Sequence, residues 1–189
     1  MRDYSAKIIE TERLILRPIS IEDVDDMFEY CSDEETVRYV SFQPHKSREE
    51  TRDTLNNFFL NRKELLVPET HAIVLKSNSK MIGTCDFSRI KFGDTAEMGY
   101  IINKKYWNKG YVTEAANAIL QWGVTDLKLR RIEIGHFSDN IGSQRVIEKL
   151  GFVYEGTKRQ GFIKSKEVHD IKMYSLLKEE LDERVSKQI

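Results

Sequence analysis

The sequence predicts a mixed α/β protein: a mainly antiparallel central sheet of about seven strands, flanked by helices. Three observations carry this reading. Three short β-rich runs follow one another between His71 and Asn103, separated by turn residues, which is the pattern of a meander. From Thr113, Ala116, Ile119, Leu120, Gly123, Val124 and Leu127 recur at helical spacing and form one apolar stripe. After that helix the chain reads strand, helix, strand, strand to its end.

Taken in order, Arg13 to Arg17 reads as a first strand closed by Pro18, and Ser20 as the N-cap of a helix whose early acids suit its positive end. A second helix is expected from Ser47, spanning 48–65. His71 to Lys76 and Met81 to Phe87 form a hairpin across a turn at 77–80. A further turn at Phe92-Gly93-Asp94 leads into the strand Ala96 to Asn103. Ile132 and Ile134 alternate with Arg131 and Glu133 as a strand. Asn140 opens a short helix with Val146, Ile147 and Leu150 inward, stopped at Gly151. Strands near 152–158 and 167–177 complete the sheet.

The 189 residues fit one domain, 1–189, with three prolines and no repeat or linker. Lys and Arg number 30 against 31 Asp and Glu, a net charge of −1, which offers no general attraction to nucleic acid. Cys31 and Cys85 are too few for a disulfide framework and read as small core side chains. No apolar run reaches signal-peptide or membrane-span length, so the expected setting is cytoplasmic, with no membrane partner. His45, His71, His136 and His169 are scattered, with no HExxH or Cys/His cluster, and no metal is expected. GxxxxGK[ST] is absent, which argues against a nucleoside-triphosphate enzyme.

Two segments carry chemistry. Tyr106-Trp107-Asn108-Lys109-Gly110-Tyr111-Val112-Thr113 joins a strand to the amphipathic helix. A tight loop running into a helix N-terminus presents unpaired N–H groups and a positive dipole end, a cradle for a diphosphate. Lys109 adds charge and Gly110 permits close backbone approach. Alone, such a turn is equally an ordinary connection. The second segment, Asn140 to Phe152, is a capped helix in which Asn140 and Ser143 project from the first turn; alone, it too reads first as structure.

Together, in this order and spacing, the segments resemble the GNAT superfamily of N-acetyltransferases. The opening Thr11-Glu-Arg-Leu-Ile-Leu-Arg-Pro18, the strand Ala96-Glu-Met-Gly-Tyr100 and the closing His169-Asp170 with Tyr174-Ser-Leu-Leu177 look like the branch of ribosomal-protein N-terminal acetyltransferases. The resemblance covers nearly the whole chain. It implies acetyl-CoA as donor substrate, held by Trp107 to Thr113, by Asn140 and Ser143, and by the backbone of Ile101, Ile102 and Asn103 on a splayed strand. It implies an acceptor that is a protein or peptide N-terminal amine; a small amine such as a polyamine or aminoglycoside, or a non-catalytic acyl-CoA-binding role, stays open. The state is monomer or homodimer.

The sequence departs from the family's loop pattern at Trp107, where Gln or Arg is usual, and at Val112, where Gly or Ala is usual, so that a branched side chain stands near the phosphates. The tyrosine that protonates the departing thiolate in many members is matched by Ile147. Ser143 is the candidate in its place, with Tyr154 and Tyr174 as alternatives. The attacking amine must be neutral. An α-amine with a pKa of about 7.7–8.0 gives up about 1 kcal/mol at pH 7, whereas a lysine gives up about 4.6. Glu97, on the strand before the loop, is the candidate base. His169-Asp170 is a candidate acceptor contact and Arg130-Arg131 a candidate contact for the adenosine 3′-phosphate; each also reads as ordinary surface structure.

Overall fold

In the computed structural model, which describes residues 4–62, 67–91 and 94–186, eight strands form one sheet in the order β1-β2-β3-β4-β5-β6-β8-β7. They are β1 (Ile9–Glu10), β2 (Leu14–Pro18), β3 (His71–Leu75), β4 (Met81–Lys91), β5 (Thr95–Ile102), β6 (Arg131–Phe137), β7 (Val153–Lys164) and β8 (Glu167–Leu177). The eighth strand is the two-residue β1, too short to show in the pattern of alternation. Every neighbouring pair is antiparallel except β5 and β6. Parallel neighbours need a crossover, and the amphipathic helix supplies it.

Among the described residues five α-helices flank the sheet: α1 (Val24–Cys31), α2 (Arg48–Thr54), α3 (Tyr111–Thr125), α4 (Ile141–Lys149) and α5 (Lys178–Ser186). Ser20 stands before a 3₁₀ turn that leads into α1, and its N–H donates to Asp23 Oδ2 at 2.9 Å. Ser47 caps α2, its hydroxyl accepting from Glu50 N–H at 3.2 Å. The expected long second helix is shorter: it passes into a π-turn at Leu55–Phe59, and part of the anticipated span, 63–66, lies outside the described residues. Phe92 and Gly93 of the expected turn also lie outside them. The helix α5, rich in charge, was not apparent from periodicity.

Strand alternation sends side chains to two cores. Leu14, Leu16, Ile73, Met98, Ile132 and Ile134 face α3 and α4, together with Ile119 and Leu120 of the helical stripe. Ala72, Val74 and Met81 face α1 and the π-turn, where Met27, Tyr30 and Leu55 meet them. Cys31 and Cys85 are free and buried, as expected of core side chains. Gly123 allows α3 its close seat on β4: a Cβ there would stand 2.5 Å from Phe87 Cζ.

His71 is fully buried, its ring edge-on to Trp122 at 4.9 Å. Its Nε2 donates to Lys7 O at 3.0 Å, since a carbonyl only accepts. Burial lowers its pKa to about 4. A neutral folded ring against an unfolded ring titrating near about 6.5 means stability that is whole above pH 6.5 and is lost as pH falls toward 4, by about 3 kcal/mol. Denaturant midpoints measured from pH 7 to 4 should therefore fall further for the parent protein than for His71→Gln. Parallel curves would remove His71 as the cause.

Candidate functional site

The site begins where the sheet opens. β5 and β6 pair only at Thr95–Arg131, Ala96–Ile132 and Glu97–Glu133. Beyond that point the strands diverge around a cleft of about 910 Å³, lined by β5 from Glu97 to Ile102, β6 from Ile134 to Phe137, and the first turns of α3 and α4. Alternate N–H groups of β5 point to the same neighbour. Asn103 N–H donates to Ile82 O at 2.8 Å, so Ile101 also faces β4, while Tyr100 and Ile102 face the gap. Of the three backbone donors expected from the sequence, only Ile102 is turned to the cleft. Ile101 and Asn103 are held by the ladder with β4.

Asn103 is 3% exposed and structural: its Oδ1 accepts from Lys105 N–H and its Nδ2 donates to Glu29, both at 3.0 Å. A 3₁₀ turn at Lys104–Tyr106 follows, and Trp107 then braces the strand end by donating Nε1–H to Ile102 O at 2.8 Å. Asn108 and Gly110 take left-handed backbone, at φ 59° and 79°. That pair of bends turns the chain into α3. The first helical bond runs from Glu114 N to Gly110 O, and among the described residues no side chain caps this end. The N–H groups from Gly110 to Thr113 therefore stay available to an anion. Val112 is 9% exposed and belongs to the α3-side core, so its branched side chain packs inward.

Arg13, at the start of β2, bolts the loop down. Its guanidinium donates to Glu114 Oε2 at 2.7 Å and to Lys109 O at 2.9 Å and lies 4.4 Å from the Tyr111 ring centroid. Burial works against the Glu114 carboxylate, but hydrogen bonds from Thr11 and Arg13 hold its pKa below the usual range. Lys109 does not line the cleft. With Arg13, Lys149 and Arg184 it borders an adjoining hollow, which gathers positive charge beside the cradle.

On α4, Asn140 Oδ1 accepts from Ser143 N–H at 3.0 Å, the ordinary work of a helix cap. Ser143 Oγ lies 2.8 Å from the Tyr100 hydroxyl, and both residues line the cleft. Burial raises the Tyr100 phenol well above its usual pKa while the Ser143 contact pulls it down, so Tyr100 stays a neutral hydroxyl. The sequence reading had Tyr100 only as part of its strand and missed its hydroxyl; the signal is alternation, which groups it with Met98 and Ile102 on the face toward α3 and α4. Glu97 has the opposite parity and faces the α1 side of the sheet. Its carboxylate also borders the cleft, half-exposed, with Lys91 Nζ at 3.8 Å.

Other candidates land elsewhere. Tyr154 is exposed and bonded to Thr157, and Tyr174 is buried against His136; neither borders the cleft. Ile147 is wholly buried. Arg130 and Arg131 sit at the opposite end of β6 from the α3 cradle, bound to Asp94 and to Glu133 and Glu155, because a parallel crossover separates the start of β6 from the end of β5. Asp170 accepts from Gln160 N–H, and His169 stacks edge-on to Phe137; both are hairpin structure. Among the described residues no group of three or more His, Cys, Asp or Glu is placed to hold a metal ion. No helix among them is long and apolar enough to cross a membrane.

The family described as the acetyltransferase (GNAT) domain matches residues 13–153. The uncharacterized N-acetyltransferase p20 of Bacillus licheniformis is 33% identical over 174 residues, covering 90% of this chain and 96% of that protein. The ribosomal-protein-serine acetyltransferase of Escherichia coli is 26% identical over 132 residues, covering 69% and 72%. The crystal structure of a GNAT-family acetyltransferase from Bacillus anthracis superposes with a TM-score of 0.81 at 31% identity, covering 92% of this chain and 99% of that one. A parted parallel strand pair leading into an uncapped helix, with a family match over residues 13–153 and a relative of 33% identity over 90% of the chain, makes the chain an N-acetyltransferase of the GNAT superfamily.

Proposed function

We propose that the protein transfers the acetyl group of acetyl-CoA to a protein or peptide N-terminal α-amine by direct attack in a ternary complex. The observation that carries this reading is the division of β5. Tyr100 looks toward α3 and α4, Glu97 looks toward α1, and the gap beside β6 joins the two sides. A donor lying along α3 and an amine arriving from the other face would meet there without a covalent enzyme intermediate. The relative from Escherichia coli, named a ribosomal-protein-serine acetyltransferase, supports the protein acceptor.

Each group then has a task. The N–H groups at the start of α3 take the diphosphate, with Lys109 and Arg13 adding charge beside it. Ile102 N–H, in the gap, donates to the thioester oxygen as negative charge builds on it. Glu97 accepts the proton of the incoming ammonium, through water. The carbon–sulfur bond breaks as the amide forms; the hydroxyl of Ser143, oriented by Tyr100, donates a proton to the leaving thiolate, and the proton that the attacking nitrogen loses returns through water to Ser143. Asn140 acts on this step only by capping the turn that holds Ser143.

Thiol release from acetyl-CoA should be measured against N-terminal peptides, lysine peptides, polyamines and aminoglycosides. Turnover confined to N-terminal peptides supports the reading; a preference for polyamines or aminoglycosides replaces it with a small-amine acceptor. Glu97→Gln should lower kcat/KM by about 10²-fold, the lower end for a lost general base, and leave the acetyl-CoA dissociation constant nearly unchanged. An unaltered rate would remove Glu97 from the mechanism.

Gly110→Val places a β-branched residue at φ 79°, which only glycine adopts without strain. It should weaken acetyl-CoA binding by about tenfold or more by calorimetry, the effect of about 1–2 kcal/mol of strain at the cradle. Unchanged binding would mean that this loop does not hold the diphosphate.

A further inference from the structure

Two segments distant in sequence both border the cleft. One is the connection between α1 and α2, which contributes Glu35, Thr36, Tyr39, Val40 and Ser41; the other is the β7–β8 hairpin, which contributes Phe162, Ile171 and Met173. The charged lining of the cleft is mixed: Glu35, Glu97 and Asp139 border it, and so do Arg145, Lys149 and Lys158.

The connection has no regular helix or strand through 37–43, so its position depends on what holds it. Its ends are tied locally: Asp33 Oδ1 accepts from Thr36 N–H at 2.8 Å, and His45 N–H donates to Cys31 O at 2.9 Å. Between them Val37 N–H donates to Asp33 O at 3.1 Å and Val40 N–H to Val37 O at 3.2 Å, and further polar contacts reach the segment from the hairpin tip. Lys164 Nζ donates to Val37 O at 2.6 Å and to Arg38 O at 3.1 Å, and Gln43 Nε2 donates to Ser165 Oγ at 2.7 Å.

Lys164 behaves unlike a surface lysine. Glu167 is its partner across the β7–β8 ladder, yet among the described residues Lys164 makes no ion pair, and its ammonium turns to two main-chain carbonyls instead. Burial lowers its pKa, the mark of a partly dehydrated ammonium. The turn beneath it is tight: Ser165 and Lys166 both take left-handed backbone, at φ 53° and 73°, where Asn-Gly is the unstrained choice. Strain of that kind persists where surrounding contacts over-determine it.

We propose that Lys164 is a positioning residue that latches segment 37–43 against the β7–β8 hairpin, so that the hairpin tip controls acceptor affinity without touching the acetyl donor. The proposal rests on the acetyl-transfer reading for its kinetic consequence and on geometry alone for the latch. Lys164→Met should raise the acceptor KM about tenfold, the effect of losing one charge-assisted hydrogen bond. The acetyl-CoA dissociation constant should stay within about twofold of the parent value, and Lys164→Arg, which still donates to carbonyls, should restore the acceptor KM. Hydrogen–deuterium exchange supplies a readout independent of turnover: amides at 37–43 should exchange faster in Lys164→Met, with those of α3 and α4 unchanged. An unchanged acceptor KM, or equal weakening of acceptor and donor, would overturn the positioning role, and unchanged exchange at 37–43 would overturn the latch. If the parent protein turns over no amine, the functional reading fails and exchange alone decides the latch.

Discussion

The early end of the β5–β6 pairing is the constraint from which the rest of the site follows. Three residue pairs join these strands, and after Glu97 and Glu133 the sheet parts. A parallel pair needs a crossover, so the end of β5 must leave the sheet through a loop and return through a helix. The loop and the N-terminus of α3 are therefore placed at the mouth of the gap by topology. The same parting leaves N–H groups of β5, those of Tyr100 and Ile102, without a strand opposite them. Both donor sets have one origin.

The strand that borders the gap also divides it. Successive side chains of β5 face opposite sides of the sheet, so Glu97 and Tyr100, three residues apart, belong to different chemical environments. On one side Tyr100 is dehydrated and joined to Ser143; on the other Glu97 is half-exposed, with Lys91 Nζ at 3.8 Å. Arg13, Lys109, Lys149 and Arg184 border the hollow beside the start of α3, a local gathering of positive charge that a net charge of −1 conceals.

Where the sequence reading succeeded, the evidence was local. The apolar stripe of α3 is buried because its spacing is that of a helix surface, and Gly151 ends α4 at φ 81° because only glycine takes that backbone freely. Gly110, likewise, opens α3 in left-handed backbone. Where it failed, the deciding partner was remote. Tyr100 becomes part of the site through Ser143, 43 residues later, and Arg13 through Glu114, about a hundred residues later. Arg130 and Arg131 looked suitable for a phosphate by charge alone, but the crossover carries them to the other end of the sheet.

The sequence by itself determined the class of fold, the order of its elements, the loop that precedes α3 and the glycine on which that loop turns, because each depends on neighbours within a few residues. Only the tertiary structure decided which backbone donors face the gap, which hydroxyls meet in it, and how the β7–β8 hairpin reaches Val37. Those outcomes depend on strand register and on contacts across more than a hundred residues of chain. A shift of one position in register sends every side chain and every N–H of a strand to the opposite side, and such a shift leaves no trace in composition or local spacing.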